Sequence, residues 1–460
     1  MNVLLLLVLL LALSSSGYAL GKRRALAVAG GNVRSLHSLP SYYGYYVVVW
    51  CALPAALVLV SWLALEPRIV ESVVVSSLPQ DIRQVPPERL ELLVNEVKNL
   101  ASGGITRGGH EPWALAAAER YRTLRRTARA ALFVVVLGLA AGGLMLGRHR
   151  IRRELKAIHK VEATIKVLLL AASLVAIFTT VGIVLSLLFE ALRFFQRVPV
   201  TEFLFGLRWS PQTALRADQV GSSGAFGAVP LFAGTFLISL IAMLVAVPVG
   251  LLTAIYMSEY APRSVRGVLK PVVEILAGIP TVVYGFFAAL TVAPAMRRLG
   301  DAVGLDVAPE SALAAGLVMG IMIIPFISSL SDDVINAVPQ GLREASYGLG
   351  ATQSETIKKV IFPAALPGIV GGILLAVSRA IGETMIVVMA AGLAANLTAN
   401  PLEAVTTVTV QIVTLLTGDQ EFNSPKTLAA FGLGLTLFLV TLVLNVIAQR
   451  IVHTYRQQYD

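Results

Sequence analysis

Two charged side chains interrupt one of the most apolar stretches of this 460-residue chain. Arg379 and Glu383 lie inside a run from about residue 364 to 393, and Thr384 follows them directly. A charge near the middle of a membrane-spanning helix is costly unless it is paired or faces a cavity. The i, i+4 spacing places the two side chains on one helix face as a plausible ion pair. The planar fork of an arginine can also give two parallel hydrogen bonds to an oxyanion. We therefore expect these three residues to line an anion path.

The carboxylate beside this arginine needs an explanation. Phosphate near neutral pH still carries a proton, so Glu383 could accept a hydrogen bond from it, whereas sulfate has no proton to give. The alternative is a buried ion pair that only fixes helix packing, because such pairs can serve the specificity of assembly. The sequence leaves both interpretations open.

A polar, turn-rich segment lies between two apolar runs and reads EASYGLGATQSETIKKVIFP over residues 344–363. Gly348 and Gly350 can both take positive φ, so either can end a first short helix. Thr352, with Glu355 three residues later, is typical of a capping box. The segment therefore predicts two short helices joined by a glycine turn.

This segment resembles the EAA loop of ABC-importer permeases. The matching positions are Glu344, Ala345, Gly350 and Pro363, and Ser346, Val360 and Phe362 replace three others. The resemblance implies a coupling loop, about residues 338–363, that docks into a separate ATPase subunit. Pro363 is expected to end the second short helix, so that the next membrane helix starts in a new direction. An ordinary amphipathic loop is the alternative.

The composition indicates a polytopic membrane protein, since 56% of the residues are hydrophobic and 14% are charged. The net charge of +10 comes from basic residues at the ends of apolar runs, which is a topology signal and does not indicate nucleic acid. Cys51 is the single cysteine, so neither a disulfide within the chain nor a cysteine metal site is expected. No HExxH, catalytic dyad or P-loop is present, so we expect no catalytic residue, metal or cofactor in this chain. The resemblance to ABC-importer permeases implies that ATP is hydrolysed on a separate subunit.

Nine apolar runs are long enough, or nearly so, to span a membrane as helices. They lie near residues 2–20, 42–65, 130–147, 163–189, 230–258, 272–295, 311–331, 364–393 and 427–449. The predicted fold is an all-α membrane protein. Prolines that interrupt the later runs predict broken helices or packing kinks, namely Pro248, Pro280, Pro294 and Pro325.

The orientation follows if the coupling loop is cytoplasmic, because nine spans then place the N-terminus outside and the C-terminus inside. The loops predicted to be inside are rich in lysine and arginine near residues 22–34, 148–160, 263–270 and 450–456, as the positive-inside rule requires. One basic group lies on the outer side against this rule: Arg120, Arg122, Arg125, Arg126 and Arg129. Cleavage of residues 1–20 as a signal peptide is disfavoured, because the basic cluster follows the apolar run.

The chain is expected to have two parts. Residues 1–160 form an accessory membrane module with three spans and an outer subdomain at about 66–127, in which ERLELLVNEVKNL has helical apolar spacing. Residues 161–460 form a six-span permease domain that contains the coupling loop.

Four further stretches resemble the phosphate-specific, PstC-type branch of the binding-protein-dependent (MetI-like) ABC permeases. They are FGAVPLFAGTFLISL (226–240), AIYMSEYAP (254–262), EILAGIPTVVYGFFA (274–288) and SRAIGETMIV (378–387). The resemblance implies a MetI-like six-helix core and the permease subunit of an ATP-driven phosphate importer in a bacterial inner membrane. It also implies a PstA-like second permease, two copies of a PstB-like ATPase and a periplasmic PstS-like phosphate-binding protein. It gives no role to residues 1–160, which look like the extended N-terminus of some members.

Other functions stay open at this point. The substrate could be another oxyanion, such as sulfate, phosphonate or molybdate. A stand-alone secondary transporter is disfavoured, because the sequence has no duplicated halves and has a docking loop. A membrane enzyme is disfavoured because no catalytic constellation is present. The second permease could be a paralogue or a second copy of this chain.

Overall fold

The computed structural model describes residues 3–30, 33–79, 82, 85, 87–102, 112–213, 223–417 and 424–456. The chain forms two compact units, Met1–Phe178 and Thr179–Asp460. In the described part, nine helices are long and apolar enough to cross a membrane, in agreement with the nine predicted runs. The all-α membrane fold is therefore confirmed. The proposed module boundary after residue 160 stays a prediction.

The first unit contains α1 (Val3–Ala29), α2 (Pro40–Ser76), α3 (Pro87–Ser102), α4 (Pro112–His149) and the beginning of α5 (Ala157–Phe195). Glycines let α1, α2 and α4 approach closely. A Cβ at Gly21 would overlap the Tyr43 carbonyl, and one at Gly143 would overlap the Trp50 carbonyl. Small residues at helix contacts are the common means of close packing in membranes.

Two helices of this unit are much longer than a membrane is thick. α2 has 37 residues and α4 has 38, which gives about 55 Å each against a hydrocarbon core of about 30 Å. Their ends pack with α3, the helix predicted from ERLELLVNEVKNL, around a small apolar core: Val70, Val74, Leu78, Val97, Ala117 and Ala118. Residues 103–111 of this predicted subdomain lie outside the described residues.

The second unit contains the rest of α5, α6 (Val200–Phe205), β1 (Trp209–Thr213), β2 (Ser223–Phe226), α7 (Val229–Ile255), α8 (Arg263–Ala277), α9 (Thr281–Phe287), α10 (Ala293–Val303), α11 (Ala312–Ala337), α12 (Gln340–Gly348), α13 (Gln353–Thr356), α14 (Phe362–Ile381), α15 (Met385–Ala390), α16 (Val408–Leu416) and α17 (Pro425–Arg456). Its central contact is between α7 and α11, where Gly316 packs on Ile241 and Gly320 packs on Val245. α11 is consequently the most buried of the candidate spans in the described part of the chain.

A small antiparallel hairpin, β1–β2, was not predicted from the sequence. Trp209 pairs with Phe226 across it, and the Trp209 Nε1 donates a hydrogen bond to the Gln411 Oε1 over 3.0 Å. The hairpin packs beside an aromatic cluster that includes Phe194 and Phe203. It therefore anchors the short helix α16 to the rest of this unit.

The predicted span at 272–295 is wrong in its boundaries. The amphipathic helix α8 ends at Ala277, a break follows at Gly278–Pro280, and a 23-residue helical span then runs over Thr281–Val303. Pro280 stands as the N-cap of α9, because proline lacks the N–H that a continuous helix would need there. The sequence named Pro280 as one of four candidate break sites but did not show that this proline would end the amphipathic helix and start the span.

The prolines in the other runs have different outcomes. Pro248 and Pro325 lie inside the continuous helices α7 and α11. Pro294 lies in the first turn of α10, directly after a π turn at Ala288–Val292. Only one of the four, Pro280, coincides with a complete break in the described part of the chain.

Candidate functional site

The predicted coupling loop has the expected two short helices, α12 and α13. Gly350 has φ +85° and ends the first of them, whereas Gly348 is the last residue of α12 and has no positive φ. The capping box is present: the Thr352 N–H donates to the Glu355 Oε2 over 3.0 Å, and the Glu355 N–H donates to the Thr352 Oγ1 over 3.4 Å. The local signals in the sequence were therefore sufficient for this turn.

Three contacts hold α12 and α13 in place. The hydroxyls of Ser346 and Thr356 lie 2.8 Å apart and are buried. Arg343 forms an ion pair of 3.0 Å with Glu259, which lies in the π turn after α7, and the Gln353 Nε2 donates to the Glu259 carbonyl over 2.6 Å. Both partners of the ion pair are largely shielded, with 13% and 9% of their side chains exposed. The loop is thus preorganised on its own subunit.

The outer face of this loop is open. Leu349 is 90% exposed, and Glu344, Ala345 and Gly350 are also exposed. Leu342 and Tyr347 of α12 are 39% and 44% exposed, so the loop presents several exposed apolar side chains close together in the chain, as contact surfaces for partner proteins do. A cleft of about 500 Å³ lies between the two short helices, with Leu342, Ser346, Glu355 and Val360 among its lining residues.

The prediction for Pro363 is wrong. Residues Gln353–Ile381 form one continuous helical span of 29 residues, and Pro363 lies in the first turn of α14 after a π turn at Ile357–Ile361. A π turn replaces the usual i→i−4 hydrogen-bond pattern locally, so the missing N–H of the proline disturbs no regular helix hydrogen bond there. The coupling loop therefore continues directly into the membrane helix.

A buried carboxylate joins α8 to α11. Asp332 is 0% exposed and accepts hydrogen bonds from Arg266, with two contacts of 3.1 Å, and from Lys270 over 3.0 Å. The Asn336 Nδ2 donates to the same carboxylate over 2.9 Å. The hydrogen bond to Asp332 raises the pKa of Lys270. This cluster fixes the amphipathic helix α8 against the most buried helix of the unit.

Arg379 and Glu383 do not form the predicted ion pair. α14 ends at Ile381, and Gly382–Thr384 break the chain before α15, so the two side chains do not share a continuous helix face and the i, i+4 argument does not apply. The predicted span 364–393 is therefore wrong in its boundaries, because the helical span runs over Gln353–Ile381. The Arg379 guanidinium lies 5.7 Å from the centre of the Phe326 ring, and its side chain is exposed.

Glu383 has a different local role. Its Oε1 accepts hydrogen bonds from the backbone N–H groups of Met385 (3.0 Å) and Ile386 (3.4 Å), so it caps the start of α15. Its carbonyl accepts a hydrogen bond from the Thr409 Oγ1 over 2.8 Å, which ties the break to α16. The Thr384 hydroxyl makes only a long contact of 3.4 Å, to the Gly382 carbonyl.

The structure brings together the two helix breaks of this unit. α9, which follows Gly278–Pro280, packs against α15, and a Cβ at Gly285 would overlap the Met389 sulfur. Across the first break, the Tyr284 hydroxyl donates to the Leu276 carbonyl over 2.9 Å. The stretch GIPTVVYG and the helix that directly follows RAIGET, which are far apart in the sequence, are therefore adjacent in the fold.

Sequence reasoning missed Asp332, Arg343 and the buried role of Ser346. A signal existed for Asp332, because Asp332 and Asp333 follow an apolar run on the side of the membrane where the basic loop near residues 263–270 is expected. The partner of Arg343 could not be identified, since Glu259 is 84 residues away in the chain.

No cluster of three metal-ligating side chains occurs among the described residues.

Comparisons with known proteins agree with this architecture. The family described as "Binding-protein-dependent transport system inner membrane component" matches residues 246–457, and the family described as "Phosphate ATP-binding cassette transporter" matches residues 7–179. The probable ABC transporter permease YqgH of Bacillus subtilis is 34% identical over 62% of this chain and 90% of its own length. The phosphate transport permease PstC of Mesorhizobium japonicum is 32% identical over 54% of this chain and 76% of its own.

The chain therefore belongs to the ABC transporter permeases of the binding-protein-dependent type, and it is an integral inner-membrane protein. Its similarity to permeases named PstC confirms the resemblance seen in the sequence, and the region that matches residues 7–179 is additional to the permease domain. A structure of the methionine transporter MetNI, inward facing, aligns with 50% of this chain and 94% of that one, at 20% identity and a TM-score of 0.36.

Proposed function

We propose that this chain is the permease subunit of an ATP-driven phosphate importer, coupled through residues 338–363 to a separate ATPase. The observation that carries the coupling role is Leu349, 90% exposed at the tip of a loop whose two helices are already fixed from within. Preorganisation of a contact surface lowers the entropic cost of docking. The expected partner at this surface is a PstB-like ATPase.

Phosphate is supported as the cargo by two observations. Relatives that match the permease domain are named phosphate transport permeases. Arg379 also has no ion-pair partner within the described residues, so its fork of donors is available to an oxyanion. Glu383 and Thr384 lie at the helix break beside it, and the Oε2 of Glu383, which accepts no hydrogen bond from the described residues, can accept one from the P–OH group of phosphate.

The assembly follows from the single coupling loop. A transporter driven by two ATPase sites needs two such loops, so the chain is proposed to pair with a PstA-like second permease and two ATPase copies. A PstS-like binding protein would deliver phosphate from the periplasm. We further propose that the N-terminus lies outside and the C-terminus in the cytoplasm, as the basic loops indicate. Membrane lipid is the remaining partner.

Transport by the reconstituted complex tests this proposal. The chain, a second permease and the ATPase are placed in proteoliposomes with the binding protein, and uptake of phosphate, sulfate, phosphonate and molybdate is compared. Phosphate-dependent stimulation of ATP hydrolysis is the expected result. Stimulation by another of these oxyanions alone would transfer the function to that substrate, and uptake without ATPase would indicate a secondary transporter.

A further inference from the structure

Four of the five arginines that contradict the positive-inside rule form part of a cleft in the first unit. Lys98, Arg122, Arg125, Arg126 and Arg129 line a cavity of about 660 Å³ between the end of α3 and the middle of α4, together with Asn99, Ser102 and Tyr121. This volume is in the range of small-ligand sites. The four arginines have the spacing i, i+3, i+4, i+7, which places them on one helix face.

The cations in this cleft exceed the carboxylates that contact them. Lys98 pairs with Glu71 at 2.5 Å, and Arg125 lies 3.9 Å from Glu66. Five cations and two carboxylates leave an excess of three positive charges. Like charges three and four residues apart destabilise a helix, so the arrangement favours an anionic ligand that would relieve the repulsion.

The arginines do not all have the same role. Arg122 donates to the carbonyls of Leu100 and Ala101, so it caps the end of α3, where a cation is favoured by the helix dipole. Arg126 and Arg129 make no hydrogen bond or ion pair within the described residues. The two residues lie on adjacent turns of one helix, so both guanidinium groups can bind the same anionic group.

We propose that this cleft binds a phosphoryl anion, with Arg126 and Arg129 as the principal ligands and Lys98 as a supporting cation. Guanidinium forks match the oxygens of a phosphoryl group by two parallel hydrogen bonds each. The cleft adjoins the predicted start of the apolar run at residue 130, so two sources of the same chemistry can reach it. One is the headgroup of an anionic phospholipid, and the other is free inorganic phosphate.

The test uses the full-length chain in nanodiscs and two probes. The first probe is radiolabelled inorganic phosphate, measured by equilibrium binding in discs of phosphatidylcholine alone. The second probe is phosphatidylglycerol, which is added to phosphatidylcholine in mixed nanodiscs. Native mass spectrometry then measures how much of it stays bound to the protein. The variant Arg126→Gln/Arg129→Gln is compared with Arg120→Gln, which removes an exposed arginine of the same helix that does not line the cleft.

We expect the double variant to weaken one of the two interactions by at least about tenfold, as the loss of charge-assisted hydrogen bonds implies, while Arg120→Gln has no effect. Loss of radiolabelled phosphate binding identifies free phosphate as the ligand, and loss of retained phosphatidylglycerol identifies the lipid headgroup. Phosphate bound elsewhere in the chain persists in the double variant and is subtracted. Arg126→Lys/Arg129→Lys keeps the charge but removes the guanidinium groups, so an intermediate loss of binding is expected. This variant replaces the double glutamine variant if the latter is unstable.

Two results would overturn the proposal. One is unchanged binding of both probes by the double variant. The other is an equal loss in the double variant and in Arg120→Gln, which would mean that only the general positive charge of α4 matters. Neither result depends on the cargo of the transporter, so the proposed phosphate import can fail or succeed separately.

Discussion

The Ser346 hydroxyl lies 2.8 Å from the Thr356 hydroxyl, and this buried contact joins the two short helices of the coupling loop. Thr356 is 0% exposed, so its hydroxyl has no access to water if its partner is removed. The position that departs from alanine in the family pattern therefore has a structural function in this chain.

Replacing Ser346 by alanine is expected to destabilise the loop by about 1–3 kcal/mol, because it leaves a buried hydroxyl without a partner. Co-purification of the ATPase should fall accordingly. Ser346→Ala/Thr356→Val removes both hydroxyls at nearly constant shape and should restore part of the association. A double variant as weak as the single one would show that the hydrogen bond is not the cause.

Gly350→Val should separate docking from membrane insertion. Gly350 has φ +85° and open space around its Cβ position, so the strain comes from the backbone alone, at about 1–2 kcal/mol or more for a β-branched residue. We expect normal insertion with loss of ATPase association and transport. Gly348→Ala, at a helical position with similar space, is the matched control. Wild-type yield of ATPase with the Gly350→Val protein would falsify the prediction.

Arg379→Gln should leave the complex assembled and reduce phosphate uptake by at least about tenfold, because charge-assisted hydrogen bonds to the anion are lost. Glu383→Gln should have a smaller effect, because an amide oxygen can still accept from the Met385 and Ile386 N–H groups. Glu383→Ala removes this cap and should be more damaging. If Arg379→Gln dissociates the complex, or if the assembled variant transports normally, Arg379 has an architectural role and the path lies elsewhere.

Asp332→Asn should lower the thermal stability of the purified subunit. The substitution leaves Arg266 and Lys270 without their buried counter-charge, but both cations are about one-third exposed, so a cost of about 1–3 kcal/mol is expected and not the full cost of a buried pair. Asp333→Asn is the control, since Asp333 is 65% exposed and 3.6 Å from Lys270. Equal melting temperatures of the two variants would contradict this account.

The same cluster should be insensitive to pH near neutrality. The pKa of Lys270 is raised above its ordinary value of 10.5 by the hydrogen bond to Asp332. A raised lysine pKa contributes stability that is present below the unfolded value and is lost only as the pH rises through the folded value. The stability difference between wild type and Asp332→Asn should therefore be constant from about pH 7 to 9.

Thiol labelling tests the proposed orientation. Ser102→Cys, in a Cys51→Ala background, should react with an impermeant reagent added to intact spheroplasts, whereas Ser354→Cys in the coupling loop should react only after permeabilisation. Both serines are exposed, so accessibility within the fold does not distinguish them. The reverse pattern would invert the topology.

The sequence was most informative where a local signal determines structure. Apolar length located the candidate spans, and Thr352, Glu355 and Gly350 specified the coupling turn by capping and positive φ. It was least informative where helices break inside apolar runs. Nothing in the hydropathy of residues 364–393 marks Gly382 as the end of a helix, because the break depends on tertiary contacts such as that of Thr409 with the Glu383 carbonyl.

The ion pair between Arg379 and Glu383 failed as a prediction for the same reason. The i, i+4 rule assumes a continuous helix, and that assumption does not hold once α14 ends at Ile381. The Asp332 cluster also needs tertiary information, since its cations are 62 and 66 residues away in the chain. Periodicity cannot identify such partners.

The continuity of Gln353–Ile381 has a mechanical consequence. This 29-residue span is about 44 Å long, and it has the coupling loop at one end and Arg379 at the other. Pro363 and Pro367 lie within this span without ending it, so the loop and Arg379 belong to one continuous helical element. A tilt of about 5° at the loop displaces the far end by about 4 Å, which exceeds the length of a hydrogen bond of about 3 Å. Small movements of the proposed ATPase at this loop would thus reach contacts at the helix break without an intervening element.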